Sequence, residues 1–173
     1  MSRLRQINLS YDRREDRLLL RVSTADQQEH RLWLTRSLIR LWWPKLVEAL
    51  RRPQADQPPL PQEPSSREAV QAFRHEAALS KARFGEPYAA EGVQPVQAAP
   101  LLVVTVRMTA HGDGEQEFSL LPAQGAGVNL RLTADLLHAF VKLLQEGLGK
   151  AAWDLGVVPP FASAMAPPSA RLN

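Results

Sequence analysis

The chain has 173 residues, 45% of them apolar and 23% charged, with a formal net charge of +3 and no cysteine. That length supports one domain with a core of its own. Without cysteine there are no disulfides, thiolate zinc sites or cysteine nucleophiles, and a cysteine-free chain fits a reducing compartment.

The charge is unevenly spread. Residues 1–52 hold twelve Lys/Arg against six Asp/Glu, and the remainder holds nine against twelve. A basic first part can serve an anionic partner, or attract the acidic part of the same or another chain. The N-terminus has no apolar signal core, and no stretch approaches the ~20 consecutive apolar residues of a membrane span. A cytoplasmic, bacterial-type protein with no membrane span is expected.

Residues 5–11 alternate, with Ile7, Leu9 and Tyr11 on one face, and predict a half-buried strand. The polar run Asp12–Asp16 predicts a turn. Arg17–Thr24 alternates again, with Leu18, Leu20 and Val22 inward, and His30–Leu34 predicts a third strand with Leu32 and Leu34 inward. Thr35 stands where a helix N-cap belongs. Leu38, Trp42, Leu46 and Leu50 follow as a core stripe, and Pro44 should kink or cut that helix.

Five prolines in residues 53–65 predict a linker. Ser65 and Glu68 match a capping box for a connecting helix whose face would be Val70, Phe73, Ala77 and Phe84, stopped by Gly85 and Pro87. Residues 86–100 read as a loop. Leu101–Thr109 predicts a strand with Leu102, Val104, Val106 and Met108 on one face. Asp113-Gly114 signals a hairpin, followed by strands with Phe118 and Leu120, then Val128, Leu130 and Leu132, inward. Thr133 caps a last helix with the stripe Leu136, Phe140, Leu144 and Leu148, ended by Gly147 and Gly149. Residues 156–173 form a Pro/Ala-rich tail.

Residues 31–50 and 129–148 therefore write one phrase twice, L-x-L-T-x-x-L and a helical stripe, at a constant offset of 98. The chain reads as α+β: two tandem β-β-β-α units, related by a pseudo-twofold internal duplication, with an extra connecting helix. Residues 1–52 are the first unit, 53–65 the linker, 66–85 the connecting helix, 86–100 a loop and 101–155 the second unit, all in one compact domain.

No catalytic motif is present: there is no G-x-S-x-G elbow, no phosphate loop and no dinucleotide fingerprint. The four histidines lack metal-ligand spacing, and His111 with Asp113 and Glu115 reads as a solvated hairpin turn. No enzyme activity, catalytic residue, metal or cofactor is expected. The suggestive constellation is the outer face of the first sheet, where Arg17, Arg21, Arg31 and Trp33 would gather beside Arg36 and Arg40. Guanidinium groups with an aromatic suit a protein interface, and equally suit phosphates and stacked bases. Strand-rich units that each end in a helix resemble, in topology, the Whirly and PUR-type single-strand-binding folds, which imply a nucleic-acid partner. Those repeats have four strands before the helix where three are read here, and no motif residue carries over. The expectation is a non-catalytic binding or assembly protein acting through protein–protein contacts, as a homodimer or with another protein. The alternative is a single-stranded nucleic-acid-binding protein.

Overall fold

Alternation of apolar and polar residues produces strands where the sequence shows it, in a computed structural model that describes residues 4–52, 58–81, 88 and 92–155. Strands β1 (Leu4–Asp12), β2 (Arg17–Thr24) and β3 (Gln28–Leu34) form an antiparallel meander. Strands β5 (Leu101–Ala110), β6 (Gln116–Pro122) and β7 (Val128–Leu132) form a second. The meanders join in parallel: Leu32 and Trp33 of β3 lie beside Leu101 and Leu102, and Gln28 and Glu29 lie beside a two-residue strand β4 (Gln94–Pro95). One seven-stranded sheet results, in the order β1-β2-β3-β5-β6-β7 with β4 against β3.

Each meander feeds a helix through the same junction. In the first, Leu32 and Leu34 are buried and Thr35 caps α1 (Arg36–Arg51), its hydroxyl oxygen accepting from the Leu38 N–H at 3.2 Å. In the second, Leu130 and Leu132 are buried and Thr133 caps α3 (Ala134–Ala151), accepting from the Leu136 N–H at 3.4 Å. Such a cap satisfies one of the N–H groups that the first turn leaves free. The strand-strand-strand-helix order thus occurs twice, and the fold is α+β.

The helices cross over. α3 lies mainly on β1, with further contact to β2, and α1 reaches β5. Trp42 of α1, Phe118 of β6 and Phe140 of α3 form one aromatic cluster, with ring centroids 5.3–5.8 Å apart. The Trp42 indole N–H donates to the Met108 sulfur at 3.1 Å. β1 and β7 stand at opposite ends of the strand order, yet Leu4 and Val22 share a cleft with Val128 and Leu130. The sheet is therefore bent around its two helices.

Several local expectations are corrected. A bulge between Val103 and Thr105 reverses the alternation of β5, so Val103 is buried while Leu102 and Val104 are 39% and 47% exposed. α1 runs unbroken through Pro44, which lies on its exposed side. Trp43, one step off the expected stripe, is buried with it. α3 passes through Gly147 and Gly149 to Ala151. A Cβ on Gly147 would stand 2.6 Å from a Leu9 methyl and 3.2 Å from one of Leu18, so the glycine is where α3 seats on β1 and β2.

The connecting helix α2 (Pro64–Lys81) starts two residues before the expected position 66, with proline at its first position. The Glu63 carboxylate accepts from the Ser65 and Ser66 hydroxyls, both at 3.1 Å, so Ser65 does not pair with Glu68. Its orientation is also other than expected: Phe73 is 75% exposed, and the face against α3 is polar and small, with Ala78 buried. The His75 and His138 Nδ1 atoms are 2.8 Å apart, and Lys81 pairs with Asp135 at 3.0 Å. α3 shows a histidine and a carboxylate here, and α2 meets them with matching polar groups. Phe84, Gly85, Pro87 and the 156–173 tail lie outside the described residues.

Burial, then the neighbouring His75, push His138 down to about 4. One ring of the pair must donate and the other accept, so the accepting ring is neutral, and burial disfavours charge on both rings. Because the folded pKa lies below the ~6.5 of a free histidine, the contribution is present above that value. It is lost as pH falls from about 6.5 towards 4, by up to roughly 3 kcal/mol. Urea unfolding at stepped pH should show wild type losing more stability than His138→Gln across this window. Gly147→Val should cost about 2 kcal/mol in the same assay at pH 7, because the added methyls meet Leu9 and Leu18.

Candidate binding face

The register of the first meander sets two rows on the outer side of the sheet. One is Asn8–Arg21–Arg31, and the other is Ser10–Leu19–Trp33, continued by Leu102. The expected residues Arg17, Arg21, Arg31 and Trp33 do share this side, since they alternate with the buried Leu18, Leu20, Leu32 and Leu34.

Two of the arginines are held by the chain itself. The Arg21 Nε–H donates to Glu29, which is 4% exposed, at 2.5 Å, and its guanidinium lies 4.1 Å from the centre of the Tyr88 ring. The Tyr88 hydroxyl donates to the same Glu29 oxygen at 3.1 Å, and burial foremost raises the pKa of that phenol. The Arg31 guanidinium donates to the Gln97 and Ala98 carbonyls at 2.8 and 3.1 Å. Arg21 and Arg31 therefore fasten Tyr88 and the segment after β4 to the sheet. Neither guanidinium stands ready for a ligand.

Trp33 is half-buried between Leu19 and Leu102, and Val104 extends the apolar strip onto β5. This strip crosses the middle of the sheet where the two units meet.

The other expected residues form a second group. Arg17, Arg36 and Arg40 line a cleft at the start of α1 with Asp16, Thr35 and Ser37. Asp16 accepts from the Trp153 indole at 2.8 Å and the Tyr11 hydroxyl at 2.7 Å, and these bonds, Trp153 first, hold its carboxyl below the ordinary range. Arg17 lies 3.5 Å from Glu15, and Arg36 donates to the Asp154 carbonyl at 2.9 Å. Arg40 is exposed and makes no hydrogen bond or ion pair among the described residues. The first turn of α1 carries no acidic residue, so the positive end of the helix adds to these cations.

Sequence reasoning missed Tyr88, Leu102 and Val104. Tyr88 stands in a stretch without periodicity, and the two apolar residues were assigned to the wrong face because a bulge leaves no mark on composition. His111 pairs with Glu117 at 3.0 Å, Glu115 pairs with Arg131 at 2.6 Å, and no group of three metal-binding side chains occurs among the described residues. Among the described residues, no helix is long and apolar enough to cross a membrane. Comparison with known proteins assigns no family: no family model, curated protein or solved structure matches the chain.

Proposed function

We propose that this chain is a non-catalytic assembly protein that pairs with a second copy of itself through the outer face of its sheet. The observation that carries this reading is the apolar strip Leu19–Trp33–Leu102–Val104, in which Leu102 and Val104, turned outward beside the β5 bulge, are 39% and 47% exposed. Strands present side chains in fixed directions, so such a strip loses little entropy when covered. Trp and Arg beside it are the residues that concentrate binding energy at protein interfaces. The internal clamps on Arg21 and Arg31 support the same reading, because they withdraw the charges that a phosphate backbone would need.

The cluster of Arg17, Arg36 and Arg40 favours a second reading, in which single-stranded nucleic acid follows the cleft at the start of α1. The two readings separate cleanly. Under the first, sedimentation equilibrium finds a dimer, and Leu102→Asp with Val104→Asp weakens self-association at least tenfold, about 1.4 kcal/mol, with the circular dichroism spectrum unchanged. A wild-type chain that stays monomeric at its highest soluble concentration contradicts it. Under the second, an oligothymidylate binds with steep salt dependence and loses that binding in the Arg17→Ala, Arg36→Ala, Arg40→Ala triple variant.

A further inference from the structure

The two units meet at one seam, and the corresponding seam on the other side is open. At the first, β3 has the segment around β4 alongside it: the Gln94 N–H donates to the Gln27 carbonyl at 2.8 Å and the Val96 N–H to the Glu29 carbonyl at 2.9 Å. At the second, β7 pairs only with β6 among the described residues, and its other edge borders a cleft of about 740 Å³. That cleft runs from Gly127 to Thr133 along β7 and is closed by Leu4, Val22 and His30 opposite.

The repeated phrase makes the correspondence specific. With the offset of 98, Gln27 and Glu29 of the filled seam match Gly125 and Gly127 of the open one. For L residues, strand direction and side-chain face together decide which neighbour the backbone groups address. β3 and β7 run the same way in one sheet and turn the matching leucines inward, Leu32 and Leu34 against Leu130 and Leu132. Asn129 and Arg131 therefore point their backbone groups at the free edge, as Arg31 and Trp33 point theirs at the filled one. Leu136 tells the same story. Its counterpart Leu38 is 8% exposed, whereas Leu136 is 39% exposed on the wall of the cleft.

We infer that the β7 edge takes up an extended peptide of another protein, added to the sheet as a strand parallel to β7. The occupant is an uncharged segment with small and branched apolar residues. Its polarity follows from the cleft, whose charges are already compensated: Arg131 is paired with Glu115, and burial holds His30 below the usual histidine range and so neutral at pH 7. Val22, Val128, Leu130 and Leu136 receive its inward side chains. The chain's own residues 92–100, GVQPVQAAP, carry no charge and already lie along the matching edge of β3. Addition to a bare strand edge gives affinity through main-chain hydrogen bonds and selectivity through alternate side chains. This inference concerns a different surface from the outer strip, and a monomeric chain that binds peptide would leave it standing.

The probe is a fluorophore-labelled copy of GVQPVQAAP, titrated into the full chain by anisotropy. Saturable binding of one peptide per chain is expected, with amide exchange at Asn129 and Arg131 slowed at least tenfold at saturation. Leu136→Trp, which fills the cleft, should raise Kd at least tenfold, and so should Asn129→Pro, which deletes an edge N–H. Binding that is absent, that both folded variants retain, or that protects β3 amides alone overturns the inference.

Discussion

The contact of Trp42, Phe118 and Phe140 is what the rest of the molecule depends on. A three-stranded sheet with one helix, roughly fifty residues, buries only a small core by itself. The chain answers this by sending each helix across to the other unit, so that the aromatic cluster ties α1, β6 and α3 into one core. Aromatic pairs of this kind add about 0.5–1.5 kcal/mol each beyond their area. The seating of α3 on β1 at Gly147 is the complementary contact on the other side.

This exchange decides which surfaces are left over. α1 and α3 lie within the bent sheet, and among the described residues its outer side receives Tyr88 and the segment following β4. Two arginines of the first unit, Arg21 and Arg31, hold that cover, so the number of arginines overstates the positive charge open to a ligand. What remains uncovered is apolar at the middle of the sheet, cationic at the start of α1, and open in backbone hydrogen bonding along β7. No acid–base pair or nucleophile has been assembled beside them among the described residues.

Much of this was legible in the sequence. The six long strands, both capping threonines and the stripe of α1 follow from period and cap chemistry, because buried leucines recur where geometry demands them. The misreadings have distinct physical causes. The face of β5 was inverted at Val104 because one inserted residue flips a strand without changing its composition. α2 was turned the wrong way because Phe73 suggested a core face, while the docking was decided by His75 and Lys81 finding His138 and Asp135. Gly147 was read as a stop, although the close approach of Leu9 is what requires glycine. Among the site residues, the sharing of one face by Arg21, Arg31 and Trp33 was readable. That Glu29, Tyr88 and two carbonyls would occupy the arginines was not, since those partners lie up to 67 residues away.

The central claim is that the two units share one core through their exchanged helices. Hydrogen exchange on Trp42→Ala tests it most directly, because the substitution removes an α1 side chain that touches the second unit. The account predicts that amides of β1–β2 and of β5–β6 lose protection together and by similar factors, as in a single cooperative unfolding. Loss confined to β5–β6, with β1–β2 still protected as in wild type, would contradict it.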